Sequence, residues 1–269
     1  MRWHFFYQIC NEPTDDWVFH HAPTRNNPFV PLDELEKEKR INHELVWKQE
    51  FLAEFVSWDS ATFFKLDYLL DNGKPIPYPE KTGAIFAIMD CAVKSGTDND
   101  ATAVVYFAYN QFYGAPLTIL DYEMHSIDAA YLEHLAPAVL QKCEDFATQL
   151  KARNGSIGLL VEDAAGGSFL LQQAYAKAWP IRAIDSSLMM KGKDERAMIA
   201  GGPVYQGLCK LSEHAFDKVV DWKGRTANHL INQVTGFRIG DKDAYRRADD
   251  LLDCVTYGVA VALSDYKAL

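Results

Sequence analysis

The sequence predicts an α/β fold with a mixed central sheet of five strands flanked by helices. Two observations predict it. Past residue 83, three runs rich in β-forming residues follow one another across turn-sized gaps, as in an antiparallel meander. Beyond them, apolar runs of strand length alternate with helical stretches, as in parallel crossover units. A third observation sets the boundary: the stretch 71–83, DNGKPIPYPEKTG, holds three prolines and two glycines and has no period. It reads as a linker. The expected organisation is an N-terminal part at 1–60, a linker at 61–82 and the α/β domain at 83–269.

The elements follow in order. In the N-terminal part, WVFHHAPT (17–24) reads as a short strand running into the turn RNNP, and Pro28 and Pro31 break any helix there. PLDELEKEKRINHELVWKQEFLAEF reads as one or two helices with Leu35, Leu45, Phe51, Leu52 and Phe55 as apolar faces. AIFAIMDCA, ATAVVYFAYN and PLTILDYEMH are the three meander strands. Residues 128–153 form a long amphipathic helix carrying Leu132, Leu135, Val139, Leu140, Phe146 and Leu150. SIGLLVED is the fourth strand, 168–177 a helix, PIRAID the fifth strand, 193–200 a helix and VYQGLCKL (204–211) a small hairpin. A last helix at 249–264 turns Leu252, Val255, Val259 and Leu263 toward the core. Meander, helix, parallel strand, helix, strand is the order of the RNase H-like fold.

Composition narrows the setting. The chain has 269 residues, 48% hydrophobic and 24% charged, which is ordinary for a soluble globular protein. No stretch approaches the roughly 20 apolar residues of a membrane span, and the N-terminus lacks a signal-peptide pattern. Cys10, Cys91, Cys143, Cys209 and Cys254 are far apart and form no CxxC. They read as reduced, mostly buried thiols in a cytoplasmic setting. The formal charge is −10, unevenly spread. Residues 182–247 hold 12 Lys/Arg against 8 Asp/Glu, and residues 1–59 hold 6 against 11. A basic stretch around an acidic pocket is compatible with a phosphate-containing substrate.

The pocket is read from three acidic stations. Asp90 closes the strand AIFAIMD, and Glu162-Asp163 closes IGLLVED just before Gly166-Gly167. Asp249, Asp250 and Asp253 open the last helix as ADDLLDC. A buried strand has no reason of its own to end in an unpaired carboxylate, whose desolvation is costly. Each station also has a structural explanation: a strand-end turn for Asp90, and helix caps for Glu162-Asp163 and for Asp249-Asp250. Asp253, inside its helix, is not explained by capping, and the combination points to divalent metal. Two-metal phosphodiester hydrolysis needs carboxylates holding two Mg²⁺ or Mn²⁺ about 3.5–4 Å apart, and such hard cations prefer oxygen. Asp90 is the candidate bridging ligand and Glu162 the second. Asp250 and Asp253, three apart, share a helix face. Asp163, Asp249 (pointing further round) and Asp100, in the SGTDND turn, are secondary candidates.

Lys193 and Arg196, one helical turn apart in KGKDERA, and Arg246 and Arg247 are candidate DNA-phosphate contacts. The histidines show no metal-ligand spacing, and no GxxxxGK followed by Ser or Thr occurs, so the chain shows no nucleoside-triphosphate site of its own.

From residue 83 to 265 the chain resembles the large terminase subunit of tailed bacteriophages. The resemblance runs through AIMDCAVKSGTDNDATAVV, VEDAAGGSFLLQQ, KGKDERA and RRADDLLDCVTYGVA. WVFHHAPTRNNPFVP and WKQEFLAEF are similar to the end of that family's ATPase domain and its connection to the nuclease. The resemblance implies an RNase H-like, metal-dependent endonuclease that cuts concatemeric double-stranded viral DNA during packaging. Asp90, Glu162 and Asp250 or Asp253 would stand at the family's metal-ligand positions. It also implies as partners double-stranded DNA, a portal protein, a small terminase subunit and an ATPase domain, with no membrane, in the cytoplasm of the infected host. The Walker motifs of the family's ATPase are missing here, so no ATPase activity is expected of this chain alone. A resolvase- or transposase-type RNase H-like nuclease, and a non-catalytic module docking DNA or the portal, are the alternatives.

Overall fold

A computed structural model describes residues 5–11, 16–56, 63–91, 101–112, 115–127, 131–164, 166–241 and 248–264. The chain divides into two compact units, one of Met1–Ala61 with Arg238–Gly240 and a larger one of Thr62–Phe237 with Asp241–Leu269.

In the smaller unit, α1 (Phe5–Asn11), α2 (Leu32–Ile41) and α3 (Glu44–Val46) are the α-helices, and α3 runs on into a π-helical turn at Trp47–Phe51 where Trp47 and Phe51 stack at 4.7 Å. The strand expected at 17–24 does not form. That segment is irregular and ends in a single 3-10 turn, Thr24–Asn26. A strand needs a hydrogen-bonded neighbour, and the described residues of this unit contain no other.

The larger unit is built on one sheet. Its strands are β1 (Ala84–Asp90), β2 (Thr102–Tyr109), β3 (Leu117–His125), β4 (Ser156–Val161), β5 (Ile181–Ala183) and β6 (Cys209–Leu211), in the spatial order β5-β4-β1-β2-β3-β6. β1, β2 and β3 pair antiparallel, while β4 lies parallel beside β1, β5 beside β4 and β6 beside β3. An antiparallel meander whose first strand pairs with a returning parallel strand is RNase H-like topology. The sheet has six strands where five were expected. The difference lies at 204–211, read from sequence as a hairpin: Val204 and Tyr205 complete a helix, and Cys209–Leu211 alone extends the sheet edge.

The central strands read as unbroken apolar runs because both faces are covered. On one face, α4 (Leu132–Gln149) and α5 (Gly166–Lys177) pack Leu132, Ala136, Val139, Cys143, Phe146, Leu170 and Ala174 against Ile85, Ala87, Met89, Leu159 and Val161. The alternate residues therefore face the other way. There lie α7 (Lys193–Tyr205), which follows the short α6 (Ser186–Met189), together with α9 (His229–Gly236) and α10 (Asp250–Leu263). Between α7 and α9 stand α8 (Glu213–Asp217) and the ribbon of β7 (Val220–Trp222) and β8 (Arg225–Ala227), turned at Lys223-Gly224.

α10 is the central element of this second face. It packs on β1, β2 and β3 and also on α7 and α9, so every residue from Leu251 to Ala262 is buried. A helix covered on all sides is apolar on all sides, which is why its sequence shows no polar stripe. Gly258 permits the close approach, since a Cβ there would lie 2.3 Å from the Phe107 ring.

The proline-rich stretch read as a linker is held by the larger unit's sheet. Asp71 and Lys74 form a bridge, the Ile76 N–H donates to the Leu211 carbonyl at 2.9 Å, and Glu213 donates back to Ile76 at 2.7 Å. Pro75 and Pro77 flank Ile76 and have no N–H to offer, so the contact is limited to one residue.

Candidate metal centre

Sheet register brings the first two stations together. β1 and β4 run parallel with Ile88 beside Leu160 and Met89 beside Val161, so the next residue of each chain, Asp90 and Glu162, falls at the same level. Both follow the alternation of Ile88 and Leu160 and emerge on the face covered by α10. The first turn of α10 supplies Asp250 and Asp253. Two contacts fix that turn: the Leu251 N–H donates to Gln233 Oε1 at 2.8 Å, and Cys254 Sγ–H donates to the Ala103 carbonyl at 3.5 Å. Ala103 is the cross-strand partner of Asp90, so α10 is seated on the sheet at the level of that carboxylate.

Glycine shapes the second station. A Cβ on Gly167 would sit 1.9 Å from the Glu162 carbonyl oxygen, so the start of α5 lies directly against the Glu162 backbone. Exposed Asp163 accepts a hydrogen bond from Ser168 Oγ at 2.7 Å, which is a helix-start role. Asp249 stands at the N-cap of α10 but makes no side-chain cap hydrogen bond, so capping does not account for it. Its carboxylate meets Lys193 instead.

The charges are balanced unevenly. Burial, and then the carboxylates of Asp253, Asp250 and Glu162, push Asp90 well above the ordinary carboxylate range, against the pull of Lys193. Burial and then Asp249 push Asp250 up to about 7, and its Oδ2 is buried without a protein hydrogen-bond partner. Asp253 differs: it is 8% exposed and pairs with Arg196 at 2.8 Å and Lys193 at 2.9 Å. Glu162 Oε1 accepts from the Tyr257 hydroxyl at 3.1 Å.

Lys193 and Arg196, expected at the DNA, thus lie among the acids. Arg196 is 9% exposed, with Nη1 donating to the Lys191 carbonyl and its guanidinium 4.7 Å over the Tyr257 ring. Asp100, Arg246 and Arg247 lie outside the described residues. Sequence reasoning passed over Tyr257 and Gln233. Tyr257 had a usable signal, a hydroxyl-bearing ring four residues after Asp253 in an otherwise apolar helix.

Among the described residues no three Asp, Glu, His or Cys side chains form a ready-made ligand set. The donor chemistry still fits Mg²⁺ or Mn²⁺. All donors are hard oxygens, one buried carboxylate oxygen lacks a protein hydrogen-bond partner, and burial with three neighbouring carboxylates disfavours the charged form of Asp90, which a cation would favour. Mg²⁺ keeps several waters and takes one or two carboxylates, so it needs no closed protein cage.

The raised groups make the metal-free protein pH-dependent. With its folded-state value near 7, Asp250 holds a proton in the native chain that the unfolded chain releases from about pH 4 upward. Its contribution to stability therefore declines as pH rises between these values and is flat above about 7. Urea unfolding in EDTA should show wild type losing more stability from pH 5 to pH 7.5 than Asp250→Asn. Equal losses would contradict the assignment.

What is defined is a set of carboxylates at the ends of two inner strands of the sheet, β1 and β4, and on the first turn of α10. No protein-family model matches the chain, and no curated protein matches it. Solved structures do. The large terminase of a thermophilic bacteriophage matches 89% of this chain and 55% of its own at 12% identity and a TM-score of 0.54. The same protein in complex with ATP-gamma-S matches 91% and 56% at 12% identity and a TM-score of 0.51. The human cytomegalovirus terminase nuclease domain matches 70% of this chain and 86% of its own at 15% identity and a TM-score of 0.45. The chain shares its fold with the phage large terminase and spans about half of that protein's length. Among the described residues no helix is long and apolar enough to cross a membrane.

Proposed function

We propose that this chain is the nuclease part of a terminase large subunit, a metal-dependent endonuclease acting on double-stranded DNA during packaging. One observation supports the reading: on a sheet of RNase H-like order, buried Asp90 at the end of β1 is acted on electrostatically by Asp253 and Asp250 from the first turn of α10 and by Glu162 from the end of β4. Asp90, Glu162, Asp250 and Asp253 would hold two divalent ions, Mg²⁺ or Mn²⁺. When bound, the ions supply activation of the attacking water and charge stabilisation at the leaving oxygen.

The chain's own residues have defined tasks in this reading. Asp90 and Asp250 must give up protons, so ligand binding strengthens as pH rises. Lys193, which stands beside Asp249 and Asp253, would meet a substrate phosphate at the site. Arg196 stays with Asp253. Arg246 and Arg247 would meet the DNA backbone. The fold likeness to a phage large terminase supports reading 1–60 as the end of an ATPase domain, 61–82 as the connection and 83–269 as the nuclease. A portal protein, a small terminase subunit and the host cytoplasm follow from the same reading.

Supercoiled plasmid incubated with the purified chain and Mn²⁺ or Mg²⁺ should be nicked and linearised, and EDTA should stop it. DNA binding with no metal-stimulated cleavage would favour a docking module instead.

A further inference from the structure

Two side chains that the proposed chemistry does not use connect the acids of different elements. Tyr257 is 2% exposed, one α-helical turn after Asp253 on α10. Its hydroxyl donates to Glu162 Oε1 at 3.1 Å, at the end of β4. Its ring lies 4.7 Å beneath the Arg196 guanidinium of α7. Arg196 in turn donates from Nη2 to Asp253 Oδ1 at 2.8 Å and from Nη1 to the Lys191 carbonyl at 2.7 Å. The chain of contacts runs from Glu162 through Tyr257 and Arg196 to Asp253, spanning three elements without passing through solvent.

The geometry is more specific than filling space requires. Phenylalanine would pack as well under the guanidinium, because cation–π attraction needs only the ring. Arg196 leaves its buried Nε without a hydrogen-bond partner, so its planar fork is placed to serve Asp253 and the ring at the expense of its own donors. Lysine could not do both, since stacking and the fork belong to the guanidinium. Carboxylates that ligate metal are held by hydrogen bonds from an outer shell, and a long Glu side chain at a strand end has three torsions to fix.

Resting on the metal-site reading above, we infer that Tyr257 and Arg196 are positioning residues, a buried relay that sets the spacing of Glu162 and Asp253 for metal. Tyr257 acts through Glu162, and Arg196 through Asp253 and the Tyr257 ring.

Mn²⁺ titration of the full chain, followed by the loss of the free-ion EPR signal, tests this without relying on cleavage. Wild type binds and Asp90→Asn loses binding if the metal-site reading holds. Tyr257→Phe, which removes one oxygen and keeps the ring, should then bind Mn²⁺ about 10-fold more weakly. Arg196→Lys, which keeps the charge and loses the fork and the stacking, should weaken it in the same direction. In a Glu162→Gln background, Tyr257→Phe should add nothing, a coupling that mere packing would not produce. If Asp90→Asn loses Mn²⁺ while Tyr257→Phe and Arg196→Lys stay within about twofold of wild type, the relay is wrong and the metal site stands. If Tyr257→Phe fails to fold by circular dichroism, Arg196→Lys decides alone. If wild type itself binds no Mn²⁺, the metal-site reading falls and the relay with it.

Discussion

Asp90→Ala is expected to abolish metal-stimulated DNA cleavage, by on the order of 10³-fold or more, the scale of losing a charge-stabilising group worth about 4 kcal/mol. The residue ends the central strand: its backbone pairs with Ala103 on one side and continues the Met89–Val161 level on the other. The substitution should not unfold the protein. Asp90 is disfavoured as a carboxylate by burial and by Asp253, Asp250 and Glu162, so alanine relieves repulsion. In EDTA at neutral pH its melting temperature should equal or exceed that of wild type. The two readouts move in opposite directions, which separates a chemical role from a structural one. Unchanged cleavage would remove Asp90 from the site, and a large fall in melting temperature would make it a structural strand end.

Gly167→Ala is expected to cost both stability and cleavage. The added Cβ would be placed 1.9 Å from the Glu162 carbonyl oxygen. The obstacle is backbone, which cannot rotate aside, so either the first turn of α5 or the end of β4 must shift. Overpacking of this kind costs about 1–3 kcal/mol, and the segment that moves carries Glu162. Gly236→Ala provides the contrast, because nothing lies within 4 Å of a Cβ there. In helix α9 it should be neutral or stabilise by about 0.4–1 kcal/mol. Urea denaturation of both variants, with plasmid cleavage measured alongside, checks the pair. A Gly167→Ala protein as stable and active as wild type would mean that α5 does not buttress the site.

Most of the sheet was legible in the sequence because its signals are local. AIFAIMD, TAVVYFAY and LTILDYEMH are apolar and β-branched or aromatic, and buried strands of that kind declare themselves. The sixth strand did not. Cys209–Leu211 is three residues long and is a strand only because β3 has a free edge beside it, which is a tertiary fact. The opposite error occurred at 17–24, where a suitable composition found no partner strand. The hold on Ile76 was likewise hidden, since two flanking prolines made the segment look unpaired.

The candidate site divides along the same line. Asp90 and Glu162 could be singled out because each ends an apolar run, and Asp250 and Asp253 because their spacing puts them on one helical face. The partners of those acids were not legible. Lys193 and Arg196 read as candidate DNA-phosphate contacts, yet α7 turns Arg196 inward against α10. Which way a helix faces when both flanks are mixed is settled by what packs over it. Tyr257 alone carried a signal, its hydroxyl one turn after Asp253 in an apolar run.

In the proposed function, carboxylates from three elements bind divalent metal at one point. Crystals of the chain soaked in Mn²⁺ and measured at the manganese absorption edge test it most directly. Two anomalous peaks about 3.5–4 Å apart are expected, with Asp90 touching both and Glu162, Asp250 or Asp253 completing the contacts. Full Mn²⁺ soaking with no peak at Asp90, or with peaks only elsewhere on the molecule, would contradict it.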